Sequence, residues 1–340
     1  MNRPALLDFL EGFRNGEHLP EGEAEQFFDS LLAEQDENLL ADILSAWNAK
    51  GTSENELYSL ASIMRQRAVK VNSRHETFVD AVGTGGSSAK TFNVSTAAAF
   101  VIAGAGIPVA KHGNRAATSN SGSADVLSAL GVNPAVEAAE AERIFNTIGM
   151  CFMFAPNFHK LSPVLAKVRR GLGVPTIFNN LGPLCNPANA PHQIIGVWRK
   201  DMVEKTANVL ARLGTKKSWI VHGEDGLDEI TLNGETHLAE VEENSLRLFR
   251  ISPKDFEMEP SSLENTRTFS PYESAELIRS ILTGKCDVQA AVNLVLINSA
   301  APIYLTGKAA TLPDAMKIAK DSLNSGSALG KLNDLIEATN

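Results

Sequence analysis

A short apolar run, Phe78-Val79-Asp80-Ala81-Val82, breaks directly into Gly83-Thr84-Gly85-Gly86-Ser87-Ser88. No other junction in the chain constrains the fold as much. A strand that ends in glycines and leads into a helix of small residues (95–104, with Ala97, Ala98, Ala99 and Ala103) is the start of a strand–helix–strand unit. The pattern then repeats. Residues 108–110, 151–154, 194–197 and 219–221 read as further strands, with helices expected at 124–130, 161–172 and 176–181. Strands separated by helices imply a mostly parallel sheet covered on both faces. Residues 236–248 read as short antiparallel strands, with Asn233-Gly234 as a hairpin turn.

The flanks are helical. Phe9, Leu10 and Phe13 follow Ala5 and Leu6 at spacings of three and four, as do Phe27, Phe28, Leu31 and Leu32, then Leu39, Leu40, Ile43 and Leu44. Thr52-Ser53-Glu54-Asn55 opens another helix with capping residues. Residues 271–283, 288–299 and 312–325, and a final segment, continue as helices. The fold class expected is α/β: a small helical domain over residues 1–72, joined by helices from about 161–184, and an α/β domain over 73–340.

Composition narrows the partners. Of 340 residues, 44% are hydrophobic and 21% charged, which excludes collagen-like and disordered chains. Asp plus Glu number 40 against 31 Lys plus Arg, a net charge of −9 that argues against nucleic acid as partner. Cys151, Cys185 and Cys286 lie far apart with no CxxC spacing, so neither zinc nor a disulfide framework is expected. Asp8 arrives before a signal-peptide core could form, and the apolar stretches 95–110 and 290–305 fall short of the ~20 residues a membrane span needs. A soluble, cytoplasmic protein with no membrane partner is expected.

Several loops carry residues suited to chemistry. The amides of Gly83–Ser88 can form a nest for phosphate oxygens, and Thr91, Asn93, Ser95 and Thr96 sit where a helix N-terminus favours anions. A Walker A loop is excluded because Ala89 precedes Lys90-Thr91, and a dinucleotide fingerprint because Ser88 stands at its third glycine. Lys111-His112-Gly113-Asn114-Arg115, with Ser119 and Ser123, places cations and hydroxyls past a strand end. His112 alone reads as a structural histidine. Glu224, Asp225, Asp228 and Glu229 form either a solvated acidic turn or oxygen ligands for Mg²⁺ bridging to substrate phosphates. Arg169-Arg170 marks either a solvated helix face or a carboxylate partner.

GTGG…TFNVST, VAKHGNR…SGSADVLSALGV, FAPNFHK, VRRGLG, TIFNNLGPLCNPA and VHGEDGLDE occur in that order over nearly the whole chain. This series resembles the anthranilate phosphoribosyltransferases. The resemblance implies a nucleoside-phosphorylase type of fold, usually a homodimer. It also implies a pentosyltransferase of tryptophan biosynthesis that moves phosphoribose from 5-phosphoribosyl 1-pyrophosphate (PRPP) to the anthranilate amine, with Mg²⁺ and release of pyrophosphate. On that resemblance Gly83, Gly86, Ser87, Thr91, Asn93, Val94, Ser95 and Thr96 contact PRPP. So do Lys111, His112, Gly113, Asn114, Arg115, Ser119 and Ser123. Gly83, Asn114 and Arg169 contact anthranilate, with His112 and Pro183 nearby, and Ser95, Asp228 and Glu229 hold the metal. One departure stands out: Ser87-Ser88 replaces the Asp-Gly common in that family. The alternatives are a pyrimidine-nucleoside phosphorylase-like enzyme, disfavoured by KHGNR, and a non-catalytic module that binds phosphoribosyl ligands.

Overall fold

The computed structural model describes residues 3–87, 89, 91–116, 121–243 and 245–340, with backbone alone for residues 3–5. The chain opens on helices: α1 (Arg3–Arg14), α2 (Ala24–Ala33), α3 (Glu37–Lys50) and α4 (Glu54–Arg67). Their starts follow from local chemistry. Asp36 accepts the N–H groups of Asn38 and Leu39, and Ser53 forms a reciprocal capping box with Glu56. Each such cap contributes about 1 kcal/mol. The aromatic residues of the apolar stripes meet inside: Phe13 and Trp47 ring centroids lie 5.0 Å apart, and Phe27 meets Trp47 edge-on at 5.2 Å.

The α/β region opens with β1 (Val79–Gly83), α5 (Val94–Gly104) and β2 (Val109–Gly113). Next come α6 (Ser123–Leu130), α7 (Ala138–Ile148), β3 (Met150–Phe154), α8 (Ala155–Phe158), α9 (Pro163–Leu172) and α10 (Ile177–Leu184). Helix α9 starts later than residue 161, because Ser162 caps the Leu165 N–H and Pro163 occupies the first helical position. The chain continues through β4 (His192–Gly196), α11 (Met202–Arg212), β5 (Lys217–Gly223), β6 (Thr236–Glu242) and β7 (Ser245–Ile251). It ends in α12 (Pro271–Leu282), α13 (Gln289–Leu305), α14 (Leu312–Asn324) and α15 (Ser327–Thr339). None of the described helices is long and apolar enough to cross a membrane.

Seven described strands form one sheet in the order β3-β2-β1-β4-β5-β6-β7. The pairs from β3 through β5 are parallel, and β6 and β7 add antiparallel. Asn233-Gly234 stands ahead of β6, between the antiparallel strands β5 and β6. It closes the connection from β5 to β6, with Gly234 at φ +113°, while the chain turns after β6 at Glu243. The acidic loop after β5 needs a long connection, so the Asn-Gly pair supplies its final bend.

Alternation along the strands feeds two hydrophobic clusters. Ile194, Trp219, Val221 and Leu238 face one cluster, with α5, α13, α14 and α15. Ile195, Ile220, Ala239 and Val241 face the other, with α1–α4, α10 and α11. Arg65 of α4 fastens this second layer. Its Nε donates to the Leu184 carbonyl at 2.6 Å and its Nη1 to the Leu213 carbonyl at 3.2 Å, so one guanidinium closes the ends of α10 and α11.

Candidate active site

The strand order reverses between β1 and β4, and open α/β sheets hold ligands at the carboxyl ends of strands beside such a reversal. A cavity of about 610 Å³ lies there, walled by the loops after β1, β2 and β5 and by α9 and α10. Gly83 and Gly196 end β1 and β4 as direct register partners. A Cβ on Gly196 would stand 1.7 Å from the Asp228 carbonyl oxygen, and one on Gly83 would stand 3.0 Å from Asp228 Oδ2. The two glycines are the space into which the loop after β5 folds.

That loop divides its acids. Glu224 lies 3.7 Å from Arg250, and Asp225 accepts the Thr231 hydroxyl at 2.6 Å. Asp228 and Glu229 face the cavity instead. Asp228 Oδ2 accepts the Gly85 N–H at 3.2 Å, and Glu229 accepts the N–H of Ser95 at the start of α5. Burial, and then the Asp228 charge, push Glu229 up to about 8. Lys111 opposes that shift. Its ammonium donates to the Ala81 carbonyl at 2.6 Å and to Ser95 Oγ at 3.3 Å.

Beneath Lys111 lies a carboxylate that the loop pattern does not announce. Asp80 is fully buried on β1, with Oδ1 accepting the His112 N–H at 3.2 Å and Oδ2 accepting Asn186 Nδ2 at 2.7 Å. Burial raises it to about 6 against the pull of Lys111. The signal was present in the sequence as an acid inside an apolar strand. His112 is held neutral: burial, with His159 adding, drives it down to about 3. Its Nδ1 donates to the Gly182 carbonyl at 3.1 Å, its ring meets His159 edge-on at 5.1 Å, and Nε2 has no partner among the described residues.

The remaining expected residues fall as follows. Gly86, Ser87, Thr91, Asn93 and Val94 line the cavity, as do Gly113, Asn114, Arg115, Ser123 and Pro183. Thr96 does not; in the first turn of α5, it is buried in the core. Asn93 Oδ1 accepts the hydroxyls of Ser121 at 2.7 Å and Ser274 at 3.0 Å, so it fastens two loops as well as lining the site. Arg115 pairs with Asp125 at 2.9 Å. Ser119 and Ser88 lie outside the described residues. On the far wall the Arg169 guanidinium sits 4.7 Å from the centre of the Phe178 ring, and burial, with Arg170 adding, pushes it down to about 10. The side chain lines the cavity, where a guanidinium suits an anion, and its buried Nε has no partner among the described residues. Thr268 also lines the cavity with a buried, unpartnered hydroxyl, and no motif marks it.

Ser87 explains its own departure. Its Oγ lies 2.9 Å from the Ala89 carbonyl and 2.7 Å from the Gly226 carbonyl, tying the glycine-rich loop to the acidic loop. A carboxylate there could donate to neither oxygen. Ser87→Ala is expected to raise the donor KM roughly 3- to 10-fold, the loss of one net hydrogen bond; an unchanged KM in steady-state kinetics would show that the tie is idle.

The same donor set bears on a divalent cation. Among the described residues no three His, Cys, Asp or Glu side chains converge. Two neighbouring carboxylates on the cavity wall, with the Ser95 hydroxyl near Lys111, fit Mg²⁺, which keeps several waters and takes the rest of its ligands from substrate phosphates.

Comparison with known proteins agrees with this geometry. The sequence profile of the Glycosyl transferase family, a/b domain, matches residues 75–329. The anthranilate phosphoribosyltransferase of Moorella thermoacetica is 40% identical over 322 residues, 94% of each chain. The crystal structure of the Thermus thermophilus enzyme of that name superposes with a TM-score of 0.88 at 34% identity, over 98% of this chain and 99% of its own. The Saccharomyces cerevisiae enzyme, solved in complex with PRPP and Mg, gives 0.89 at 26% identity over 99% and 98%. The match spans every loop that walls the cavity, and the chain belongs to the anthranilate phosphoribosyltransferase family.

Proposed function

We propose that the protein transfers the 5-phosphoribosyl group of PRPP to the amine of anthranilate, releasing pyrophosphate, as a step of tryptophan biosynthesis. One observation carries the reading: a single cavity is lined by paired carboxylates and glycine-loop amides and also by a half-buried arginine whose Nε has no partner among the described residues. The first end suits a metal-bound pyrophosphate and the second an aromatic carboxylate. Asp228, Glu229 and Ser95 would hold Mg²⁺, whose role is to offset charge on the departing pyrophosphate.

The chain's own groups do the rest. Amides of the loop after β1 and the ammonium of Lys111 lie where phosphate oxygens would rest, so negative charge growing on the leaving group meets fixed donors. Arg169 holds the anthranilate carboxylate and aims the amine at C1 of the ribose, a gain in orientation. The weak aromatic amine attacks as the C1–O bond breaks, and no covalent enzyme intermediate is needed. His112, neutral at working pH, adds no positive charge beside the amine. On the same reading Gly83 and Asn114 border the acceptor, and the enzyme works as a cytoplasmic homodimer. Residues 1–72 with about 161–184 would form one unit and the rest of 73–340 the other, with the helices of the first packed on one face of the sheet.

Mixing protein, Mg²⁺, PRPP and anthranilate and following the loss of anthranilate fluorescence tests the function. No turnover, with nucleoside cleavage by phosphate instead, would replace it with a phosphorylase; binding with neither reaction would leave a non-catalytic module. Arg169→Ala is expected to raise the anthranilate KM about 10- to 100-fold, as for a lost charged hydrogen bond, and the PRPP KM far less. An unchanged anthranilate KM would remove the carboxylate contact.

A further inference from the structure

One side chain crosses from the acceptor wall to the donor loop. Asn179 lies in the first turn of α10, where its Oδ1 accepts the Thr176 N–H at 3.0 Å and closes the helix start. Its Nδ2 points the other way, donating to the Thr84 carbonyl at 3.3 Å and the Gly85 carbonyl at 3.1 Å, 94 residues distant in sequence from the latter. Capping needs only the oxygen. The amide nitrogen is spent on the donor loop. Thr84 is tied to β4 through its N–H to the Gly196 carbonyl at 2.9 Å and through its hydroxyl, which accepts the Trp198 N–H at 3.2 Å. The next residue, Gly85, is exposed and sits at φ +59°.

What lies at either end gives the contact its meaning. The N–H of Gly85 donates to Asp228 Oδ2 at 3.2 Å, so the turn that Asn179 grips also touches the carboxylate pair. On the other side its neighbour Phe178 carries the Arg169 guanidinium over its ring. The arrangement runs from the anthranilate side to the pyrophosphate side through a single carboxamide. Two substrates held by separate walls react only if the walls keep register, and a displacement of about 1 Å can reduce rate ~100-fold.

We propose that Asn179 is a positioning residue, whose carboxamide keeps the donor loop in register with the acceptor wall. The proposal deepens the functional reading above and rests on it. Asn179→Asp keeps the capping oxygen but turns both loop hydrogen bonds into contacts between oxygens; Asn179→Ala removes cap and strap together. Both variants are expected to lose kcat roughly 10- to 100-fold at saturating substrates, with the anthranilate KM within about 3-fold of wild type. The aspartate variant should keep the wild-type melting temperature, and the alanine variant should melt lower. Amide hydrogen exchange over residues 83–87, read by mass spectrometry without substrates, should quicken in both.

If Asn179 serves only as a cap, Asn179→Asp will match wild type in kcat and in exchange, and the proposal is overturned. Wild-type protein inactive with anthranilate would instead defeat the functional reading. The exchange comparison then decides the strap: quickened exchange in Asn179→Asp supports it, and unchanged exchange ends it.

Discussion

Gly196→Ala is expected to abolish turnover, lowering kcat/KM for PRPP by at least about 100-fold, while the protein still folds. The added Cβ would lie 1.7 Å from the Asp228 carbonyl oxygen and 2.5 Å from its carbonyl carbon. The obstacle is backbone and cannot rotate away. Something must move, and the sheet is the stiffer party: Gly196 is held between Gly83 of β1 and Val221 of β5 in a run of parallel pairs. The loop after β5 therefore yields, carrying Asp228 and Glu229 out of the cavity together. Gly83→Ala is a graded companion. Its Cβ would press on the tip of the Asp228 side chain, at 3.0 Å, and lie at ordinary contact distance, 3.7 Å, from the Asp228 carbonyl oxygen, so a smaller loss is expected. Gly330→Ala, in α15 with nothing within 4 Å, is the control and should gain a few tenths to 1 kcal/mol from helix propensity. Circular dichroism and steady-state kinetics on the three variants check the order; wild-type turnover in Gly196→Ala would refute the close-packed account of the acidic loop.

Much of this was legible in the sequence, because the features that set the fold are local. Periodicity placed the helices, and the apolar run ending in Gly83 placed β1 and the loop that walls the cavity. What sequence order could not give were relations between distant segments. Gly196 looks like an ordinary strand glycine until β4 is laid beside β1. The split of the acidic run, with Glu224 and Asp225 turned to Arg250 and Thr231 and the next pair turned inward, depends on where β6 and β7 return. Asp80 and Asn186 meet only once α10 has crossed the sheet. Thr96 shows the opposite failure. It shares a polar cluster with Ser95, but one step along a helix rotates a side chain by about 100°, enough to send it into the core. Asn233-Gly234 reads as a two-residue hairpin because that pair tolerates positive φ, which is a property of the pair and not of the strands around it.

Glu229→Gln separates what the site needs for activity from what the fold prefers. The carboxylate is half-buried beside Asp228, so its folded value of about 8 stands well above the unfolded one. The sign follows. Below the unfolded pKa the group is neutral in both states and makes no difference; as pH rises towards 8 the unfolded chain sheds its proton first, and the folded state loses relative stability. Removing the charge should therefore stabilise the protein at pH 8.5 in the presence of a chelator, and leave it unchanged below about pH 4, with Lys111 offsetting part of the gain. Activity should move the other way. Losing an anion where a divalent cation and pyrophosphate are to be held is expected to lower kcat about 100- to 1,000-fold, and Asp228→Asn should do the same. Thermal unfolding at the two pH values and turnover at saturating Mg²⁺ are the measurements. Normal turnover in both variants would remove the metal assignment. A melting temperature that falls at pH 8.5 would show instead that the Glu229 charge is already satisfied within the protein, and that it has no need of a cation.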